Sequence, residues 1–461
     1  MKKYIIILLI GPVAAISNSV FGQASNETSS GAMKLSIKQA VEQALTHNAD
    51  LKKAKIDVKI SQETVKQTIA IGLPQVSASF GYQQYLTIPG QWIRNSFNPA
   101  PGAPEYIFLQ FQQKIGSTAN ISVNQLLFDG SYLVGLKATK EFMNMSQLLE
   151  AKTDYDVQLN VVKSYLMVAS TRKNIDLIDA NMNTLEKSLN DVKALNKEGF
   201  AESLDVKRLQ YSYNNLKIQK EKLNDGIQIL TMALKLQMGI DVNTAIELTD
   251  DIETIDKTIG FVEDIQATGD FKARPEYAII NQSIRLGELD KQRYKMGMLP
   301  RFVAFYQHQQ LTQRPEFNFF QSNLTPNNNW VPSDVIGLQV QLSIFDGMST
   351  FSKIREVNYK LDKAKLDLSN FSNAANFEIN KNRSTYLLGL KQASLQKENL
   401  DLAREIYEKS NIKYKEGVGS SLEIVQSETE LKNAQINYLN AMYDLVISKI
   451  EFNKSIGKSL F

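Results

Sequence analysis

The chain has 461 residues, of which 52 are basic and 49 acidic, for a formal net charge of +3. This balance, with no basic run interleaved with aromatic residues, argues against nucleic acid as a partner. The absence of cysteine excludes disulfides, thiolate metal sites and a lipidated N-terminal cysteine. The only histidines, His47 and His308, have neither triad nor metal-ligand spacing. We therefore predict no catalytic residue, no metal site and no cofactor.

The N-terminus has the layout of a secretory signal peptide over residues 1–22. Lys2 and Lys3 precede an apolar run, and small and polar residues follow up to Gly22. The run is too short to span a bilayer, and no later stretch approaches ~20 uninterrupted apolar residues. We expect cleavage after Gly22, export of the mature chain, and a disordered polar segment over residues 23–34.

Proline is absent from residues 105–274 and 333–461, which permits very long helices. A helix from Ser131 to Glu198 would extend roughly 100 Å, a length that suits a coiled-coil rod or the crossing of a wide gap. Apolar residues in this span recur at heptad spacing, typical of helices that supercoil around neighbours: Ile175, Ile178, Met182, Leu185, Leu189 and Val192. A weaker stripe in the second span comprises Leu395, Asn399, Leu402 and Ile406.

The sequence contains two copies of one plan, at nearly constant separation. The matched motifs are Leu73-Pro74 with Leu299-Pro300, Phe128-Asp129-Gly130 with Phe345-Asp346-Gly347, and Lys197-Glu198-Gly199 with Lys415-Glu416-Gly417. Each copy predicts a short helix, a strand, a loop, a strand, a long helix, a sharp turn and a returning helix. We assign residues 35–239 to the first repeat, 240–272 to an equatorial connector, 273–456 to the second repeat and 457–461 to a tail.

Alternating apolar and polar residues predict the strands, as over residues 76–82, 121–124 and 338–344. A half-buried soluble sheet shows the same alternation. The signal peptide and the long helices instead favour transmembrane strands, with lipid on one face and water on the other. Four strands cannot close a barrel, and an open sheet edge in lipid leaves unpaired backbone groups. The subunit must then oligomerise, and three copies would supply twelve strands.

This order of motifs resembles the TolC-like outer membrane efflux proteins over nearly the whole mature chain. The resemblance implies a mainly helical α+β fold, in which a homotrimer closes a twelve-stranded β-barrel in outer-membrane lipid and a long periplasmic α-helical barrel. It implies a passive channel of a Gram-negative bacterium rather than an enzyme. Small molecules or polypeptides would reach it from a periplasmic adaptor protein and an inner-membrane pump of the RND, ABC or MFS type.

The resemblance also implies roles for residues at matching positions. The helix–strand junctions are Pro74, Phe128, Asp129, Gly130, Pro300, Phe345, Asp346 and Gly347, where the prolines end the incoming helices and the aspartates cap the outgoing ones. The helical tips that dock the adaptor are Gly199, Phe200, Ala201, Ser203, Leu204, Gly417, Val418, Gly419, Ser421 and Leu422. Among these, the glycines that end the long helices are expected to take positive φ, and both serines to cap the next helix.

A pore gate is the third implied feature. Glu423 stands where the family has the first acid of a cation-attracting ring, and Gln426 replaces the second. Asp205 and Tyr414 stand at gate-closing hydrogen-bond positions, but Gly419 replaces the basic residue of that network. We therefore expect the closed state to be held differently. A bare carboxylate on a helix is more often simply solvated.

The alternative from another class is a periplasmic coiled-coil scaffold or adaptor that forms no pore. It explains the long helices and the export signal. It does not explain alternating strands placed symmetrically in both copies. Extraction distinguishes the two, because a channel should need detergent and a scaffold should leave with the soluble periplasm.

Overall fold

A computed structural model describes residues 32–96, 101–259, 271–317, 329–416 and 418–458. The predicted signal peptide and Gly417 lie outside the described residues, as does most of the segment predicted to be disordered. The side chains of Lys415 and Ser421 are also outside them.

The described elements follow the predicted order in both halves of the chain. They are β1 (Met33–Leu35), α1 (Ile37–His47), α2 (Ala49–Ile71), β2 (Gln75–Gln84), β3 (Gln91–Arg94), β4 (Tyr106–Leu109), β5 (Ile115–Phe128), α3 (Gly130–Lys197), α4 (Ser203–Met238), β6 (Ile246–Leu248), α5 (Ile252–Thr258), α6 (Pro275–Met296), β7 (Arg301–Arg314), β8 (Val331–Gln341), α7 (Ser349–Lys415) and α8 (Ser421–Ser455). Helix, strands, long helix and returning helix thus occur as α2–β2–β5–α3–α4 and again as α6–β7–β8–α7–α8. The hairpin β3–β4 occupies the longer loop of the first half.

The two long helices have 68 and 67 residues, so each extends about 100 Å. α3 begins and ends within one residue of the predicted limits. The long helices pair with the shorter returning helices α4 and α8 to form two antiparallel hairpins.

The four main strands form one antiparallel sheet in the order β2-β5-β7-β8. One face is mainly apolar and includes Val76, Phe80, Ile121, Val123, Ile336 and Leu338, whereas the opposite face includes Ser77, Ser79, Asn120, Ser122, Gln307 and Gln309. β2 and β8 lie at the edges, and among the described strands each has a neighbour on one side only. β8 ends at Gln341, so the predicted continuation over residues 342–344 is wrong.

The main hydrophobic core lies midway along α3. Val161, Tyr165 and Leu166 of α3 are fully buried in it, together with residues of α1, β1, β6, α5 and α8. The Tyr165 hydroxyl donates to the Leu35 carbonyl at 2.8 Å, and the Asp250 N–H donates to that hydroxyl at 3.1 Å. β1 includes Met33 and Lys34, so disorder over the whole of 23–34 is wrong. It pairs with β6 of the connector.

The heptad stripe predicted in α3 is confirmed, whereas the weaker stripe predicted in α7 does not pack within the subunit. Ile178, Leu185, Leu189 and Val192 are at most 4% exposed and pack against α4. In α7, by contrast, Leu395, Leu402 and Ile406 are about half exposed. The residues of α7 that are buried against α8 are spaced by seven on another face: Tyr386, Ala393 and Leu400. Tyr386, Ala393 and Leu400 fill this contact, and the predicted stripe remains outside it.

Candidate functional site

The predicted tip and gate residues lie together at one end of the two hairpins. Ile178, Leu189 and Leu209 belong to a buried cluster between α3 and α4. Tyr414 of α7 and Val425 of α8 pack against this cluster. The turns that follow α3 and α7 are therefore side by side.

The first turn has the backbone geometry that its glycine predicts. Gly199 has φ of +83°, the left-handed conformation that glycine adopts at least cost. The Phe200 N–H donates to the Leu195 carbonyl at 2.8 Å, and the Asn196 side chain donates to the Ala201 carbonyl at 2.7 Å. The Phe200 side chain is 82% exposed. The turn thus presents an aromatic ring to solvent on a fixed backbone.

The second turn matches the first in what it exposes. Val418 is 80% exposed and Leu422 53%, at the positions that correspond to Phe200 and the half-exposed Leu204. The N–H groups of Val418 and Gly419 both donate to the Lys413 carbonyl, at 3.0 and 3.1 Å. Each tip therefore carries two exposed apolar side chains four residues apart.

The predicted serine caps are wrong at both tips. Ser203 and Ser421 are the first helical residues of α4 and α8. Glu202 occupies the N-cap position of α4 without a side-chain hydrogen bond. Ser420 caps α8, and its hydroxyl accepts from the Glu423 N–H at 3.2 Å. The second turn thus has one more capping bond than the first.

The structure brings Asp205 and Tyr414 near each other. Burial raises the pKa of the Tyr414 hydroxyl, and the negative charges of Asp205 and Asp191 raise it further. Asp205 also lies 3.9 Å from the Arg208 guanidinium. A tyrosine that stays protonated next to a carboxylate is suited to donate a hydrogen bond rather than to ionise.

Glu423 has a basic partner that sequence reasoning missed. Its Oε1 lies 3.2 Å from Lys413 Nζ and 3.5 Å from the Ser410 hydroxyl, both on α7. Lys413 and Ser410 precede the turn, and only the antiparallel return of α8 brings Glu423 back to them. The spacing of 10 and 13 residues across a turn is the signal that could have located them.

At the first helix–strand junction the predicted cap is confirmed. Asp129 is the N-cap of α3 and accepts from the N–H groups of Ser131 at 2.8 Å and Tyr132 at 3.1 Å. Burial opposes ionisation of Asp129, but a hydrogen bond from the Ser131 hydroxyl, the two backbone bonds and the charge of Arg301 outweigh it and lower the pKa of the carboxyl. Gly130 is buried directly against the end of α6. The ring of Phe128 contacts that of Phe302 edge-on. Pro74 and Pro300 each lie between the end of a helix and the start of a strand, as predicted.

The second junction has a different geometry. Asp346 accepts from the Thr350 N–H at 2.9 Å, but it lies three residues before α7, whose N-cap is Met348. Gly347 and Met348 both have positive φ, at 67° and 68°. Phe345 is 78% exposed in the subunit. The Phe-Asp-Gly motif therefore forms a wider turn here than at the first junction.

Within the described residues, no group of three or more His, Asp or Glu side chains is arranged to hold a metal ion. Across the same parts of the chain, no helix is long and apolar enough to cross a membrane.

The outer membrane efflux protein family model matches residues 40–239 and 300–458. Because this match spans well over half of the chain, the chain belongs to the outer membrane efflux protein family. Membership identifies it as an outer-membrane transport protein and not an enzyme, and it favours the channel over the scaffold. A search of curated protein sequences finds no match.

Solved structures of outer membrane proteins share the fold at low sequence identity. VceC of Vibrio cholerae matches with a TM-score of 0.69 and 13% identity, over 92% of this chain and 97% of VceC. CmeC of Campylobacter jejuni matches with a TM-score of 0.71 and 15% identity, over 91% and 85%. The open state of MtrE of Neisseria gonorrhoeae matches with a TM-score of 0.68 and 12% identity, over 92% and 89%. At these identities the likeness establishes the fold alone.

Proposed function

We propose that three copies of this chain form one passive duct, with a twelve-stranded barrel in the outer membrane and a helical barrel in the periplasm. The single observation that carries this proposal is the four-stranded sheet with one apolar face and two free edges. A free edge in lipid costs several kcal/mol for each unpaired backbone group. Joining β8 of one copy to β2 of the next removes every edge.

The exposed stripe of α7 supports the same assembly. Leu395, Leu402 and Ile406 are each about half exposed, although their heptad spacing is typical of helix packing. A second copy of the chain provides the apolar surface that this stripe lacks within the subunit. Two similar halves in each of three copies would supply six hairpins around the periplasmic barrel, consistent with an internally duplicated subunit.

The duct is tested on protein extracted from outer membranes with detergent. Light scattering should give the mass of three chains, imaging should show a hollow cylinder longer than ~100 Å, and planar bilayers should show discrete conductance steps. A protein that leaves with the soluble periplasm as a monomer or a solid rod would overturn the proposal.

The tips support the second element of the proposal, docking of a periplasmic adaptor that connects the duct to an inner-membrane pump of the RND, ABC or MFS type. Phe200, Leu204, Val418 and Leu422 form exposed apolar pairs at the end of each hairpin. Phe200→Ser combined with Val418→Ser should abolish co-purification of the adaptor and leave the trimer and its conductance intact. Lys207→Ser, an exposed charged residue one turn into α4 and outside the apolar pairs, is the control.

The gate is the third element. Three Glu423 carboxylates would ring the inner tip, but each lies 3.2 Å from a Lys413 ammonium. The pairing reduces the cation preference that a ring of bare carboxylates would give. We expect Lys413→Gln to shift the reversal potential in a salt gradient toward cation selectivity and Glu423→Gln to shift it the other way. Equal reversal potentials for both variants and the wild type would show that Glu423 and Lys413 do not face the pore.

A further inference from the structure

A cleft of about 250 Å³ lies between α3, α4 and α8, next to the tip. Asn181 and Leu185 line it from α3, Tyr211 from α4, and Val425, Glu428 and Lys432 from α8. Glu428 is seven residues into α8 from its first residue, roughly 10 Å along the helix axis. The cleft thus lies where the second hairpin packs against the first.

Glu428 is the unusual residue of this cleft. Its Oε1 is fully enclosed and, within the described part of the chain, has no hydrogen-bond partner. Burial raises the pKa of the Glu428 carboxyl to about 7, although Lys432, one turn along α8, acts in the opposite direction. An ionised carboxylate without a partner is costly to bury, whereas a neutral carboxyl costs much less.

The other groups that face Glu428 do not replace the missing partner. Burial lowers the pKa of Lys432 and the Glu428 charge acts in the opposite direction, and this cation of α8 makes no hydrogen bond to the enclosed Oε1. From α7, Tyr407 has a pKa raised by burial and by the Glu428 charge, so it stays neutral at physiological pH. Tyr211 is the phenol on the α4 side, and Asn181 and Leu185 of α3 do not titrate. Glu428 is therefore the group of this cleft that changes charge between pH 5 and 8.

We propose that Glu428 is a protonation-dependent latch between the two hairpins, closed when its carboxyl is neutral and released when it ionises. The neutral acid lets α8 pack against α3 and α4. The carboxylate favours an open cleft in which water and Lys432 reach it. Release loosens the segment of α8 that begins at the tip, so alkaline conditions favour an open end of the helical barrel.

The direction of the pH effect follows from the raised pKa. The closed cleft holds its proton more tightly than a solvated carboxyl of ordinary pKa 4.5. The free-energy preference for the closed cleft is greatest below about pH 4.5 and decreases as pH rises from there to about 7. Above that pH it is constant. Between pH 5 and 8 the ratio of open to closed cleft should rise on the order of 100-fold.

Hydrogen exchange of the detergent-purified, full-length protein tests the latch. After correction for intrinsic exchange, amides in residues 181–189 and 425–435 should lose protection between pH 5 and 8. Glu428→Gln should remain protected at pH 8, because an amide cannot ionise. Glu430→Gln is the matched control on the exposed face of the same helix and should behave as the wild type.

Lys432→Met provides a second test that keeps residue 428 intact. Removing the attracting cation raises the pKa of Glu428 further, so the loss of protection should move to higher pH. Protection that is independent of pH in the wild type, or a pH response that survives in Glu428→Gln, would overturn the latch. Only the opening of the end of the helical barrel rests on the proposed duct. A latch seen by exchange in a protein that forms no pore would refute the duct and leave the latch.

Discussion

Gly130→Ala tests how closely the start of α3 approaches the end of α6. A Cβ at this position would lie 2.5 Å from the Met296 carbonyl oxygen and 3.2 Å from its carbon, both backbone atoms that cannot rotate away. Overpacking of this kind costs about 1–3 kcal/mol. Alanine also reduces the conformational entropy of the unfolded chain, which stabilises the folded state by about 0.4–1 kcal/mol. We expect a net destabilisation of roughly 1 kcal/mol, concentrated at the junction of strand and helix.

Gly135→Ala is the matched control, five residues further along the same helix. Nothing in the subunit lies within 4 Å of a Cβ added there. Replacing a glycine in a helix interior by alanine stabilises by about 0.5–1 kcal/mol. Glycine to alanine should thus lower stability at residue 130 and raise it at residue 135. Thermal stability of the purified protein and hydrogen exchange of the first turns of α3 measure the two changes. Equal stabilisation by both variants would refute the close approach.

Two further substitutions test the packing of the hairpin and the cap of α3. Leu185→Ala removes a side chain that is 1% exposed and should lower the free energy of local opening by about 2–5 kcal/mol. Leu195→Ala removes a side chain that is 40% exposed and should lower it far less. Hydrogen exchange of residues 178–192 compares the two variants. Asp129→Ala should cost about 0.5–2 kcal/mol. The pKa of Asp129 is lowered in the folded state, so its contribution to stability is present above pH 3.8 and is lost as pH falls through the folded pKa. The free energies of unfolding of wild type and variant should therefore become equal in acid.

The order of elements could be predicted because local signals control it. Proline marks the strand starts at Pro74 and Pro300, and Asp129 caps the long helix through its own side chain. The heptad in α3 was predictable because its leucines pack against the next helix in the chain, only a turn away. The flanking Asp129-Gly130 and Gly199 predicted the limits of α3 to within one residue, and the absence of proline permitted its length.

The errors arose where contacts are distant in sequence. β1 is only three residues long, and it forms a strand because β6, more than 200 residues later, pairs with it. The stripe of Leu395, Leu402 and Ile406 does not pack within the subunit, whereas Tyr386, Ala393 and Leu400 fit the surface of α8. Glu423 was noted, whereas Lys413 became visible only after the return of α8.

The position of the core along α3 gives the hairpins a mechanical property. Ala169 is the last buried residue of α3 in the main core, and the helix continues for 28 more residues to Lys197. That length is about 40 Å, so a rotation of only ~5° about the core sweeps the tip through roughly 4 Å. The tip of the hairpin is therefore displaced most when α3 rotates about the core. The same rotation displaces Phe200 far more than it displaces residues next to Tyr165.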